Sequence, residues 1–188
     1  MTPPSAPSLD RIRASVDAAQ ATLVRRARWD GAACHWPAPT GASMNGSVFD
    51  GTAGTALFLA EAGTAVGDDE AHRTAAGAIR HAIRWAETLP PHVLGVHAGR
   101  VGVVAVADRI GTLLGRPALR EEARALLPTP EPSLDEALTA ADLSVVGGAA
   151  GAIPALLHLA EAGPEADRLG ALAHALGRIL MHRAIRTD

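Results

Sequence analysis

The apolar residues of this chain fall into blocks of two kinds. Leu9, Ile12, Val16, Ala19 and Leu23 recur at steps of three and four, one face of an amphipathic helix, with Arg11, Arg13, Asp17, Arg25 and Arg26 mostly on other faces. Residues 29–47 are rich in Gly, Pro, Ser and Asn and read as a loop. Three nearly uniform apolar stretches then follow, residues 55–60, 103–107 and 152–157, each predicted to be a helix buried on most of its surface. Amphipathic segments separate them. The first, roughly 70–88, has an apolar face of Ala75, Ile79, Ala82, Ile83 and Ala86 and a wet face of Arg73, Arg80, Arg84 and Glu87, and Pro90-Pro91 stops it. Pro117 opens the second, which breaks at Pro128-Thr-Pro130 and restarts at the capping box Ser133-Leu-Asp-Glu136. Pro164 suits the first turn of the last helix, whose buried stripe is Leu169, Leu172, Leu176 and Ile179. No run of alternating apolar and polar residues is long enough to predict a strand.

Each apolar helix opens on the same spelling, glycine, two residues, glycine. The pairs are Gly51/Gly54, Gly99/Gly102 and Gly148/Gly151, with first glycines 48 and then 49 residues apart. A period of this size marks stacked copies of one supersecondary unit, none of which can bury its apolar face alone. Leu59-Ala-Glu-Ala-Gly63 recurs as Leu159-Ala-Glu-Ala-Gly163, which supports duplication and predicts that Gly63 and Gly163 end their helices, the third apolar helix being about one turn longer. An apolar helix followed by an amphipathic one, repeated, predicts an all-α fold with an inner row of helices backed by an outer one. The paired glycines have two readings. Without Cβ atoms they allow positive φ and tight packing of adjacent inner helices, or they form a mouth where a ligand touches backbone and helix N–H groups. A phosphate loop at the third copy is excluded, because Val146 stands where its first glycine belongs and no GK[ST] follows.

Composition narrows the function. The net charge is -3 and the aromatic content only 3%, with no Tyr, which argues against nucleic acid as a partner. All 17 basic residues are Arg, a trace of coding composition more than of function. The lone Cys34 rules out an internal disulfide and fits a reducing, cytoplasmic setting. Residues 143–160 carry no Asp, Glu, Lys or Arg, but Gly and Pro interrupt them and no basic flank follows, so a buried inner helix is expected there and no membrane span. Residues 1–8 read as a disordered leader and 9–188 as one domain.

Val48-Phe-Asp-Gly-Thr-Ala-Gly-Thr-Ala-Leu-Phe-Leu-Ala60 and Val145-Val-Gly-Gly-Ala-Ala-Gly-Ala-Ile-Pro-Ala-Leu-Leu157 resemble the first and third glycine repeats of the lanthionine synthetase C-like (LanC-like) family, and the second repeat is in register. The resemblance spans roughly residues 45–185. It implies an α/α toroid, of which this chain would hold the first half, about three and a half hairpins. In cyclases of the family a central zinc activates a peptide Cys as thiolate, which adds to a dehydrated Ser or Thr and closes a thioether ring. The zinc ligands of those enzymes lie in later repeats, a His, then a Cys, then a Cys-His-Gly. None has a counterpart here, so the resemblance implies a truncated relative with no metal ligands or cofactor of its own, inactive alone. Its partners would be a peptide substrate and either the missing C-terminal half or a second copy.

Cys34-His35 is followed by Trp36 instead of Gly and precedes the first repeat, so it is set aside as a metal site. Cyclases carry an Asp four residues before the first glycine of the third motif; here that position is Ser144, and Asp142 is the catalytic candidate only through a rearranged backbone. Asp50 precedes the first glycine pair and His97 the second. Both are candidate ligand-binding residues at one rim. The competing readings are capping of a helix N-terminus for Asp50 and a buried, hydrogen-bonded ring for His97. His158 is expected to be a satisfied core histidine, and His72, His81, His174 and His182 to be solvated on outer helices. A non-catalytic peptide-binding scaffold, dimerising through the open edge of a half ring, is the alternative function. A carbohydrate-active enzyme is a distant third, since paired carboxylates and aromatic platforms are lacking.

Overall fold

The computed structural model describes residues 8–38, 41, 43–129, 140–161 and 165–184. Among these residues the fold is all-α apart from one small hairpin. The elements are α1 (Leu9–Arg26), β1 (Arg28–Asp30), β2 (Ala33–His35), α2 (Thr52–Val66), α3 (Asp69–Glu87), α4 (Arg100–Leu113), α5 (Pro117–Arg124), α6 (Ala149–Glu161) and α7 (Ala166–Ala184). The expected capping box at Ser133 and the turn at Gly163 and Pro164 lie outside the described residues. No helix among those described is long and apolar enough to cross a membrane.

The three apolar helices form a row, with α2 against α4 and α4 against α6. Each is backed by its amphipathic successor, α2 by α3, α4 by α5 and α6 by α7. One core runs through the row. Leu59, Ile79, Ile83, Val101, Ile110, Leu119, Leu156, Leu169, Leu172 and Leu176 are almost fully buried. Alanine fills much of the rest of α3, with Ala71, Ala75, Ala76, Ala78, Ala82 and Ala86 all at 0% exposure, so its backbone lies close against α2. Asp68 starts α3 by accepting from the N–H groups of Glu70 (2.9 Å) and Ala71 (3.0 Å), and Gln20 of α1 donates to its second oxygen at 2.6 Å. Such a cap contributes about 1 kcal/mol.

Several expectations are corrected. α2 does not stop at Gly63 but runs to Val66 and ends at Gly67, whose φ of 72° is the left-handed conformation a helix stop needs. Gly63 is instead a packing residue: a Cβ there would meet His72 Cδ2 at 2.8 Å and Ala71 Cβ at 3.0 Å. The basis for a longer third helix goes with it. α5 ends at Arg124, short of Pro128. α1 forms as expected, yet Leu9, Ile12 and Ala19 are exposed and Gln20 is its buried residue. The hydrophobic stripe was a sound sign of helix but a poor guide to which face meets the body.

The loop expected over 29–47 contains the β1–β2 hairpin, paired Trp29 to Cys34, turning at Gly31 with φ 58°. Three-residue strands are too short to show an alternation in sequence. Half-buried arginines tie helix ends together through carbonyls. Arg100 donates to Leu126 O (2.7 Å) and to Leu89 O, and Arg168 to Leu127 O (2.9 Å) and Arg124 O (3.2 Å). Asp108 of α4 holds α5 by accepting from Arg120 (3.0 Å) and Arg124 (2.9 Å).

Candidate functional site at the glycine rim

The three glycine pairs build one structure three times. Gly51, Gly99 and Gly148 immediately precede their helices, and Gly54, Gly102 and Gly151 are the third helical residues. The first helical N–H in each copy donates to a carbonyl seven residues back: Thr52 to Asn45 (2.9 Å), Arg100 to Val93 (3.0 Å) and Ala149 to Asp142 (2.8 Å). The preceding loop folds over the helix start, and this is why the second glycine is needed. A Cβ on Gly54, Gly102 or Gly151 would strike the carbonyl oxygen of Val48, Val96 or Val145, six residues earlier in its own loop. Positive φ plays no part; the flanking Gly51 and Gly99 have φ of -122° and -145°. The close approach is mainly of each loop to its own helix and less of one inner helix to the next, although a Gly102 Cβ would also lie 2.9 Å from Val48 Cγ2.

The loops are joined side by side through backbone. The Val48 and Phe49 N–H groups donate to His97 O (2.9 and 3.1 Å), and the His97 N–H donates to Val146 O (3.1 Å). His97 is therefore the middle of a three-loop rim, half-buried, its peptide group joining the first and third motifs. Asp50 stands on the same rim, exposed, and does not cap α2, since Gly51 takes the N-cap position without a side-chain bond. Its carboxylate accepts from Ser47 Oγ (2.6 Å) and Asn45 Nδ2 (3.0 Å), and these bonds hold its pKa below the ordinary carboxylate value. Asp142 is exposed at the third motif. It accepts from the Ser144 N–H and the Ser144 hydroxyl, both at 2.8 Å, which lower its pKa in that order. Its carbonyl is the one that receives the first N–H of α6. The rim thus brings Asp50 and His97 onto adjacent loops, while Asp142 lies at the base of the third loop with its carboxylate turned to Ser144.

A polar cluster beside the first motif was not visible in the sequence. His35 of β2 and His81 of α3 stack with centroids 5.3 Å apart. Ser43 Oγ lies 3.1 Å from His35 Nδ1 and 3.3 Å from His81 Nε2, and Thr52 Oγ1 lies 3.0 Å from His81 Nδ1. His81 is half-buried, not solvated as expected, and burial, with the neighbouring His35 and Arg84 charges, lowers its pKa. His72 is also half-buried, over Gly63. His158 is the reverse case: its side chain is 84% exposed beside Glu161, so it is no core histidine. Only the burial of neighbouring helices could have told these apart, because all lie on similar helical patterns.

The residues present do not fit zinc. Cys34 is fully buried, its thiol donates to Thr74 O at 3.3 Å, and burial pushes its pKa up to about 12, whereas a zinc ligand must be thiolate. The neighbouring His35 ring is engaged by Ser43 and His81. Among the described residues no three of His, Cys, Asp and Glu come together as a metal-binding group.

Comparison with curated proteins returns no match. The family described as lanthionine synthetase C-like protein matches residues 42–184, which takes in the whole rim and every helix from α2 to α7. With its three repeated glycine starts lying inside a match over most of its length, the chain belongs to the lanthionine synthetase C-like family.

Proposed function

We propose that this chain is the N-terminal half of a LanC-like toroid, related to the lanthipeptide cyclases that close thioether rings, and inactive alone. In this reading α2, α4 and α6 are part of the inner ring, and α3, α5 and α7 part of the outer ring. The cytoplasm is its place of action, where a lone buried thiol stays reduced. The observation that carries the reading is the repeated start: three inner helices joined by one repeated backbone link, inside the family match.

The chain's own contribution would be to bind and orient a peptide along the rim. Asp50 and His97 would touch it. Asp142 is the carboxylate nearest in sequence to Ser144, the position that carries the aspartate of cyclases. Its carboxylate, kept ionised by Ser144, suits accepting a hydrogen bond from the peptide better than cycling a proton near neutral pH.

The test is to incubate the purified chain with zinc and a dehydrated, cysteine-containing peptide, and to count remaining thiols by alkylation and mass spectrometry. All thiols should remain, and metal analysis should find no stoichiometric zinc. Thioether formation, or one tightly held zinc per chain, would overturn the proposal.

A further inference from the structure

The polar cluster beside the first glycine motif runs from the core to the surface. Thr52 is fully buried, His81 and His35 are half-buried, and Ser43 is exposed. The Ser43 backbone is held in place: it bridges to Pro37, and the next N–H, that of Met44, donates to Trp36 O at 2.9 Å. The Ser43 hydroxyl stands 3.1 Å from His35 Nδ1 and 3.3 Å from His81 Nε2. Two imidazoles, one from β2 and one from α3, therefore converge on a single accessible oxygen.

The buried end sets the direction of the protons. Thr52 Oγ1 has His81 Nδ1, at 3.0 Å, as its hydrogen-bond partner among the described residues. A buried hydroxyl that donates to nothing is costly, so Thr52 donates and Nδ1 accepts. Neutral His81 then donates from Nε2 to Ser43 Oγ. Burial, with the His35 and Arg84 charges, lowers the His81 pKa and keeps that ring neutral. Ser43 turns its own proton to His35 Nδ1, its nearest acceptor, with Met44 O farther off at 3.3 Å. Trp36 O, 3.4 Å from the same nitrogen, already receives the Met44 N–H. Nucleophile, base and orienting groups thus stand within hydrogen-bond reach of one another, the arrangement that nucleophilic catalysis requires.

We propose that Ser43 is a nucleophile that takes acyl groups from activated esters, with His35 as its general base and His81 and Thr52 as positioning residues. Ser43 Oγ forms a bond to the carbonyl carbon while its proton passes to His35 Nδ1. The bond to the leaving oxygen breaks, and that oxygen departs with the electron pair. The imidazolium then yields its proton to that oxygen or, for a weakly basic leaving group, to water. The product is an ester on Ser43. A carbonyl electrophile suits the site better than a phosphoryl donor, because among the described residues no three of His, Cys, Asp and Glu come together to hold the cation that phosphoryl transfer uses. Every group involved lies between residues 35 and 81, so the proposal does not depend on the half-toroid reading.

The test is to incubate the purified chain with p-nitrophenyl acetate, follow release of p-nitrophenolate, and locate the acetyl group by peptide mass spectrometry. Acetyl should appear on Ser43 in preference to the exposed Ser15 and Ser144, and the fast release should vanish in S43A, a surface change that leaves the fold intact. H35Q should slow acylation at least about 100-fold, the loss expected for a general base. T52V should slow it as well, and T52S, which restores the hydroxyl, should recover the rate; a purely structural Thr52 would not separate these two variants when circular dichroism shows both folded. No acetyl on Ser43, labelling of Ser15 or Ser144 to the same extent, an unchanged rate in S43A or H35Q, or equal rates in T52V and T52S would each overturn the proposal.

Discussion

Replacing Gly102 by alanine puts one methyl group where the rim has no room for it. The new Cβ would overlap the Val96 carbonyl oxygen, with Val96 C at 2.7 Å and Val48 Cγ2 at 2.9 Å. Non-bonded carbons rest at about 3.5–4.0 Å, so the loop must retreat by roughly 1 Å. That loop is held on both sides, by Arg100 N–H to Val93 O at 3.0 Å and by the links through His97 to Val48, Phe49 and Val146. Overpacking of this kind costs about 1–3 kcal/mol, and each rim hydrogen bond lost adds about 1 kcal/mol. Removing a helical glycine returns at most about 1 kcal/mol. The net expectation is a loss of about 2–3 kcal/mol, a fall in Tm of about 4–12 °C for a chain of this size. Gly170→Ala is the matched control, since a Cβ there meets nothing within 4 Å, and it should raise stability by about 0.5–1 kcal/mol. Thermal unfolding followed at 222 nm compares the three proteins. If G102A melts at or above the parent temperature, the glycine is not there for space and the account of the rim is wrong.

Asp108→Asn should cost about 3 kcal/mol in urea unfolding, because Arg124, its side chain 10% exposed, loses the carboxylate 2.9 Å away; a loss under about 0.5 kcal/mol would show that Glu165 at 3.7 Å suffices. His81 has its pKa lowered by burial, so the folded state resists a proton that the unfolded chain takes up near 6.5. Stability from this group is complete above that value and lost as pH falls from there through the lower folded pKa. The urea midpoint should therefore drop between pH 7.5 and 5.5, and drop less in H81Q; equal drops would remove His81 as the cause. Cys34, with its pKa near 12 and no exposure, should react with a thiol reagent such as DTNB only after denaturant is added. Rapid labelling of the native protein would contradict its burial.

The helices were legible in the sequence wherever a stripe, a proline or a capping residue spoke locally. α3 and the stripe of α7 formed where the three- and four-residue steps placed them, and Pro117 opened α5. What failed depended on neighbours distant in sequence. α1 showed a clear stripe, yet the surface meeting it selects Gln20, which reaches Asp68 across 48 residues. Gly63 looked like a stop because Leu-Ala-Glu-Ala-Gly is a plausible helix end; the true stop, four residues on, was a Gly in the same register. His81 and His158 exchanged roles because burial of one helix face is set by what lies behind it. At the site, the glycine spacing located the rim, but the links through His97 are peptide to peptide and leave no mark on side-chain identity.

That silence has an evolutionary consequence. The positions that join the three loops are Phe49, His97 and Val146, an aromatic ring, an imidazole and a branched aliphatic. Nothing in the joint depends on which of them is present, because only the amide and the carbonyl are used. Each repeat therefore offers one side chain that selection can change without disturbing the architecture. A protein built this way can duplicate a repeat, keep the frame, and try new chemistry at the one position per copy that the frame leaves unspecified.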